Sequence, residues 1–181
     1  RGRREPCLFR VTAASFWCVY DGTWDADPSF STGGTLNNTG RMLVFRPAGG
    51  TASTWGVDVA ESSGTFSAPS TTAQVVNTGF NTNVNGALVI SGWMSTDDNI
   101  WGWLNHGWNE ITPTQVRNTS GSDMSIAHSW KVVPSSGASG NAGMSQTALG
   151  GDAGYYIIMA FKEVAVASGG ESNVMFMVFT E

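Results

Sequence analysis

Turn residues punctuate this chain so often that strands and not helices are expected between them. Asp21-Gly22, Gly33-Gly34, Gly49-Gly50, Asn85-Gly86, Gly150-Gly151 and Gly169-Gly170 supply the positive φ angles of tight connections. Between them, Gly, Ser, Thr and Asn interrupt every window in which apolar residues begin to recur at three and four. Parallel strands need crossovers of a dozen residues or more, usually helical, so the expected topology is antiparallel.

Eleven short strands are expected: Ser15 to Tyr20, Arg41 to Arg46, Thr54 to Ala60, Ala73 to Val76, Ala87 to Met94, Ile100 to Leu104, Thr114 to Arg117, Met124 to Val133, Met144 to Leu149, Tyr155 to Val164 and Asn173 to Thr180. That number, with little or no helix, predicts an all-β, antiparallel β-sandwich of jelly-roll-like kind. In Met124 to Val133, the residues Met124, Ile126, His128, Trp130 and Val132 share one face and Ser125, Ala127, Ser129 and Lys131 the other, which predicts a strand with one side on the core. Tyr155 to Phe161 and Val174 to Phe179 are apolar on both faces and are expected to be covered twice, centrally or by another subunit. The tract from Ser135 to Gly143, all Ser, Gly, Ala and Asn, reads as a flexible loop.

A length of 181 residues fits one all-β domain, and 41% hydrophobic against 13% charged residues is the balance of a packed chain. Four of the nine cations, Arg1, Arg3, Arg4 and Arg10, lie in the first ten residues. The organisation expected is therefore a basic arm over 1–10 and a single β-sandwich over 11–181, with 172–181 a candidate inter-subunit strand. Residues 11–181 carry five cations against thirteen carboxylates, a formal −8, and the five (Arg41, Arg46, Arg117, Lys131, Lys162) are scattered, which argues against a nucleic-acid surface. No run of eighteen apolar residues suggests membrane insertion and no signal-peptide core follows the basic start, while the missing initiator Met is read as a processed or trimmed product. Cys7 and Cys18 are too few for a disulfide scaffold or a structural zinc site, and are read either as one bridge between neighbouring strands or as two buried thiols.

Catalytic chemistry has few candidates. His106 and His128 are the only near-neutral proton carriers, and His128 falls on the apolar face of its strand. Ser145 lacks the second glycine and the strand-to-helix setting of a nucleophile elbow. The acids Asp21, Asp25, Asp27, Asp97 and Asp98 sit in turns, where aspartates make local hydrogen bonds. Asp21 to Asp27 offers oxygens to Ca²⁺ but lacks the spacing and terminal Glu of an EF-hand loop. No glycine-rich segment opens a helix to cradle phosphate. The expectation is no enzyme activity, no cofactor and no metal.

The densest unusual segment runs from Trp93 to Trp108. Trp101 and Trp103 project to one face at strand spacing, and with Asn105, His106 and Trp108 they form a candidate ligand-binding face, either stacking on sugar rings or filling the core between sheets.

Three stretches carry a resemblance: Gly86-Ala87-Leu88-Val89-Ile90-Ser91-Gly92-Trp93, Ile126-Ala127-His128-Ser129-Trp130-Lys131, and Tyr155 to Lys162 after the small-residue tract. From about Gly86 to Glu163, less than half of the chain, the sequence resembles bacteriophage virion surface proteins of the tail-fibre and decoration type. The resemblance implies a non-enzymatic structural role on the outside of a virus particle, in contact with other capsid or tail proteins, and a trimeric or otherwise symmetric homo-oligomer. Attachment is expected through the termini, by Arg1, Arg3, Arg4 and Arg10 at one end and Val174, Phe176 and Val178 at the other. The alternative is a carbohydrate-binding adhesion module that uses the tryptophan face on a host glycan. A β-sandwich hydrolase is the third class.

Overall fold

The computed structural model describes residues 13–20, 39–48, 53–66, 73–77, 79–104, 106–120, 124–147, 152–165 and 173–180. The strands are β1 (Ala13–Tyr20), β2 (Thr39–Phe45), β3 (Ser53–Phe66), β4 (Ala73–Asn77), β5 (Asn81–Thr82), β6 (Ala87–Ser95), β7 (Ile100–Leu104), β8 (Asn109–Asn118), β9 (Met124–Val133), β10 (Gly137–Ala138), β11 (Ala142–Thr147), β12 (Gly154–Ala165) and β13 (Asn173–Thr180). All eleven expected strands are present, the two-residue β5 and β10 are additional, and no helix occurs among the described residues.

The main sheet has the order β3-β12-β6-β9-β8 and forms the middle of the molecule. We call β1-β13-β2 the terminal sheet and β4-β11-β7 the tryptophan sheet; β5 and β10 form a two-stranded ribbon. All strand pairs are antiparallel and several are nested in chain order: β2 with β13, β3 with β12, β4 with β11, β6 with β9. That nesting is the jelly-roll-like feature of this sandwich-like fold.

The alternation of β6 shows why three layers form. Leu88, Ile90 and Met94 belong to one core cluster, which includes Leu43 of the terminal sheet, whereas Val89 and Trp93 belong to a second, which includes Trp101 and Met144 of the tryptophan sheet. Both faces of the central sheet are therefore covered, and all nine residues of β6 are buried. β12 divides in the same way, with Ile157, Met159 and Phe161 in the first cluster and Ile158 and Ala160 in the second. Its double-faced apolar sequence thus places it centrally within this chain. In β3, register shifts against β12 move the strand by one residue around Asp58, so Trp55 and Val57 face the first core while Val59 faces the second. Gly154 opens β12 where a Cβ would fall 1.9 Å from the Met94 carbonyl oxygen, a spacing open only to glycine.

Two expectations are corrected. β9 does not have a free side, because Ser125, Ala127 and Ser129 are as buried as Ile126 and His128. Their small volume leaves room for the bulky indoles on that face. The small-residue tract from Ser135 to Gly143 is also no free loop: it contains β10, which pairs with β5, and it enters β11. The buried Ser139 fixes it, donating its backbone N–H to Phe80 O at 2.9 Å and accepting the Phe80 N–H on Oγ at 3.1 Å. Composition alone reads flexibility only when such a tract finds no partner.

Candidate functional site

The tryptophan segment is held by β7, which pairs with β11 so that Trp101 stands opposite Gln146 and Trp103 opposite Met144. These side chains point inward, onto the central sheet. Trp101 is 2% exposed; its indole Nε1–H donates to Ser125 Oγ at 2.8 Å and its ring meets Phe66 edge-on at 6.1 Å. Trp108 is likewise buried, Trp103 is half-buried against the same cluster, and His106 is exposed. Asn105 lies outside the described residues. Trp101, Trp103, His106 and Trp108 therefore do not come together as a surface platform. Trp101 and Trp108 take the core-filling role that the strand spacing left open, and Ile100 of that strand is exposed.

Beside this segment lies an open depression of about 560 Å³ lined by Ile100, Trp101, Pro113, Thr114, Gln115, Arg117 and Thr119. It lies where the outer strand of the central sheet, β8, passes the outer strand of the tryptophan sheet, β7. Gln115 Oε1 accepts the Trp101 backbone N–H and ties the two sheets at this margin. Arg117 donates to Asp98 O at 3.0 Å and approaches the Asp98 carboxylate at 3.9 Å, both side chains remaining partly exposed. A side-chain amide, hydroxyls and a guanidinium thus surround a small apolar floor.

On the opposite face of the central sheet the controlling residue is Arg41, one of the five cations scattered along the sequence. It is buried, in phase with Thr39 and Leu43 on the inward face of β2. Its guanidinium donates to Ile111 O at 3.2 Å, Thr114 O at 3.5 Å and Pro113 O. Those carbonyls belong to the stretch of β8 where the register with β9 breaks between Glu110 and Gln115, leaving acceptors outside the ladder. The sequence did contain a signal, since alternation put Arg41 on the face of Leu43 rather than on that of Met42 and Val44.

His128 lies on the same face and is completely buried. Desolvation, and secondarily the Arg41 charge, lower its pKa from 6.5 to about 3, so the imidazole is neutral at ordinary pH. A side chain so enclosed does not meet a substrate. Cys18 is a free, half-buried thiol whose pKa burial raises, so it is held in the unreactive protonated form. Ser145 sits within β11 and donates to Gly102 O at 3.2 Å. Among the described residues, no group of three or more His, Cys, Asp or Glu is placed to hold a metal ion, and no helix is long and apolar enough to cross a membrane. Cys7 and the acids Asp21, Asp25 and Asp27 lie outside the described residues.

The attachment residues are distributed as follows. Arg1, Arg3, Arg4 and Arg10 lie outside the described residues. Val174, Phe176 and Val178 belong to β13, which runs between β1 and β2 with its backbone paired on both sides. The outward face of the terminal sheet exposes Met42 by 55% and Val44 by 54%, and the ladder sets them beside Met177 and Met175 of β13.

Compared with known proteins, the chain matches no family model, no curated protein and no solved structure.

Proposed function

We propose that this protein is a non-enzymatic structural component of the surface of a virus particle, of the bacteriophage decoration or tail-fibre type. The observation that carries the reading is the terminal sheet. It brings β1, which directly follows the basic arm, against β13, and it turns exposed Met42 and Val44 outward beside them. Attachment by either terminal segment then acts on a single layer, and an apolar patch on that layer is what a neighbouring subunit would cover. The weakly charged body supports the same reading, because few ionised groups must be desolvated where such proteins meet. So does the burial of His128, which removes a proton carrier from the surface.

The test is co-sedimentation with purified particles and light scattering of the isolated protein. Met42→Glu combined with Val44→Glu puts two charges on the outward face, where folding does not depend on them; it is expected to abolish particle association and symmetric assembly. A double variant that still binds particles and assembles like the parent rules the reading out.

A second reading, a glycan-binding adhesion module, draws support from the depression around Thr114, Gln115 and Arg117. Here the hydrogen-bonding groups of β8, and not the tryptophan faces, hold the sugar. Glycan-array binding that is lost on Arg117→Ala favours it, and an array without signal removes it.

A further inference from the structure

The layer between the central sheet and the tryptophan sheet has a chemistry unlike the other core. On the central sheet its floor includes Ser91, Ser95, Ser125 and Ser129, in phase with Val89, Trp93 and Ala127. The roof carries Trp101, Trp103, Met144 and Gln146. Small hydroxyl residues thus face large indoles and an amide, where the layer under the terminal sheet packs aliphatic and aromatic chains around Arg41 and His128.

Several polar groups in this layer lack partners. The indole Nε1 atoms of Trp93, Trp103 and Trp108, Ser129 Oγ, and both Oε1 and Nε2 of Gln146 are buried and make no hydrogen bond to any described residue. Gln146 is only 2% exposed, so bulk solvent does not serve it. The groups are not dispersed at random. Gln146 and Trp103 are diagonal neighbours on the inward face of the β7–β11 ladder, and Ser129 and Trp93 are diagonal neighbours on the facing side of the β6–β9 ladder. The Trp101–Ser125 hydrogen bond brings the two faces together at one end.

Leaving a buried polar group dry lowers the folding equilibrium constant by about tenfold or more each. Five such side chains exceed what a marginally stable domain tolerates. The missing partner must both donate and accept, because the set contains three indole N–H donors, an amide with both functions and a hydroxyl. An anion leaves Gln146 Oε1 unserved, and the neighbouring cation Lys131 is committed to Ser139 O at 3.0 Å. Water meets both requirements, and it is what commonly satisfies groups of this kind.

We propose that ordered water molecules are a built-in part of this layer, bridging Gln146 and Ser129 to the indole N–H groups of Trp93, Trp103 and Trp108. The tryptophan sheet is then joined to the central sheet through water as well as through the direct bonds of Trp101 to Ser125 and Gln115. The terminal sheet is bonded to the central sheet through Arg41 and through Trp55 Nε1–H to Phe45 O at 3.1 Å.

The experiment is nuclear magnetic resonance of the full chain, reading cross-relaxation between water and the assigned indole protons, together with the stability of Gln146→Met. Trp93, Trp103 and Trp108 are expected to show cross-peaks to long-lived water, while Trp101, whose N–H is bonded to Ser125, shows none. Gln146→Met is expected to leave the folding equilibrium constant unchanged or to lower it, because a satisfied amide is lost. Absence of the three cross-peaks overturns the proposal. A Gln146→Met chain whose folding constant rises by about tenfold or more also overturns it, since that is the gain from deleting a dry amide.

Discussion

Gly92 and His128 face each other across the β6–β9 ladder, and the imidazole fills the room that a side chain at Gly92 would need. A Cβ on Gly92 would lie 3.0 Å from Cδ2 and 3.1 Å from Nε2 of His128, and 3.2 Å from Ile157 Cγ2. An alanine would fit here only if His128 or Ile157 gave way by a few tenths of an ångström.

Gly92→Ala is therefore expected to destabilise the protein. Both neighbours are enclosed and cannot retreat, so overpacking costs about 1–3 kcal/mol and outweighs the roughly 0.4–1 kcal/mol that a less flexible unfolded chain returns. Urea unfolding measures the difference. An alanine variant as stable as the parent would show that His128 has freedom to move.

Acid should weaken the fold through His128. Its pKa is about 3 in the folded chain against 6.5 when solvated, so between those values the unfolded chain binds a proton that the folded chain refuses. Stability from this group is complete above about pH 6.5 and is lost as the pH falls towards 3, amounting to about 3 kcal/mol by pH 4. Carboxylates titrate in the same range, so the informative quantity is the difference between the parent and His128→Met, measured by denaturant unfolding at pH 7 and at pH 4. The variant should have the shallower pH dependence, and parallel profiles refute the assignment.

Arg41→Met keeps much of the side chain's apolar stem but removes the donors to three carbonyls of β8. A loss of about 2–4 kcal/mol is expected, because charge-assisted bonds are replaced by part-buried acceptors with nothing to accept. Arg41→Lys should recover only part of it, since a single ammonium does not span acceptors from Ile111 to Thr114 as a planar fork does. Equal stability of the methionine variant and the parent contradicts this role.

Trp101→Phe separates packing from hydrogen bonding. The ring remains, but Ser125 loses its donor, and a cost of about 1–2 kcal/mol is expected. Trp101→Ala should cost about 3–5 kcal/mol, the usual range for truncating a buried aromatic side chain. Thermal melting reads both. If neither substitution alters the melting temperature while glycan binding disappears, Trp101 belongs to a binding face and not to the core.

The strands were legible because each is bounded by residues whose backbone preferences are local: Asn85-Gly86 before β6 and Gly150-Gly151 before β12 stop a strand wherever they occur. Layering was less legible, since it depends on what crosses from elsewhere. Ser125 and Ser129 read as a solvent side until Trp101 is seen to rest on Ser125. Arg41 read only as one of five scattered cations because its acceptors lie some seventy residues further along the chain. For the tryptophan segment the alternation correctly put Trp101 and Trp103 on one face, but alternation does not say which face meets the core. The depression beside Arg117 depends on where β7 and β8 pass each other, and no local pattern encodes that.

The place of β13 also bears on how the protein is made. Among the described residues, β1 and β2 find their ladder partner only in β13, whose residues 173–180 follow all the other strands in the chain. The inner pair of β6 and β9 is already complete when β12 leaves the ribosome, but the terminal sheet has no middle until β13 has followed it. Until then Leu43 and its neighbours lack their final cover, so a nascent chain stalled before residue 173 exposes sticky strands to other molecules. Newly made chains thus have most need of a holding chaperone in the interval before residues 173–180 emerge.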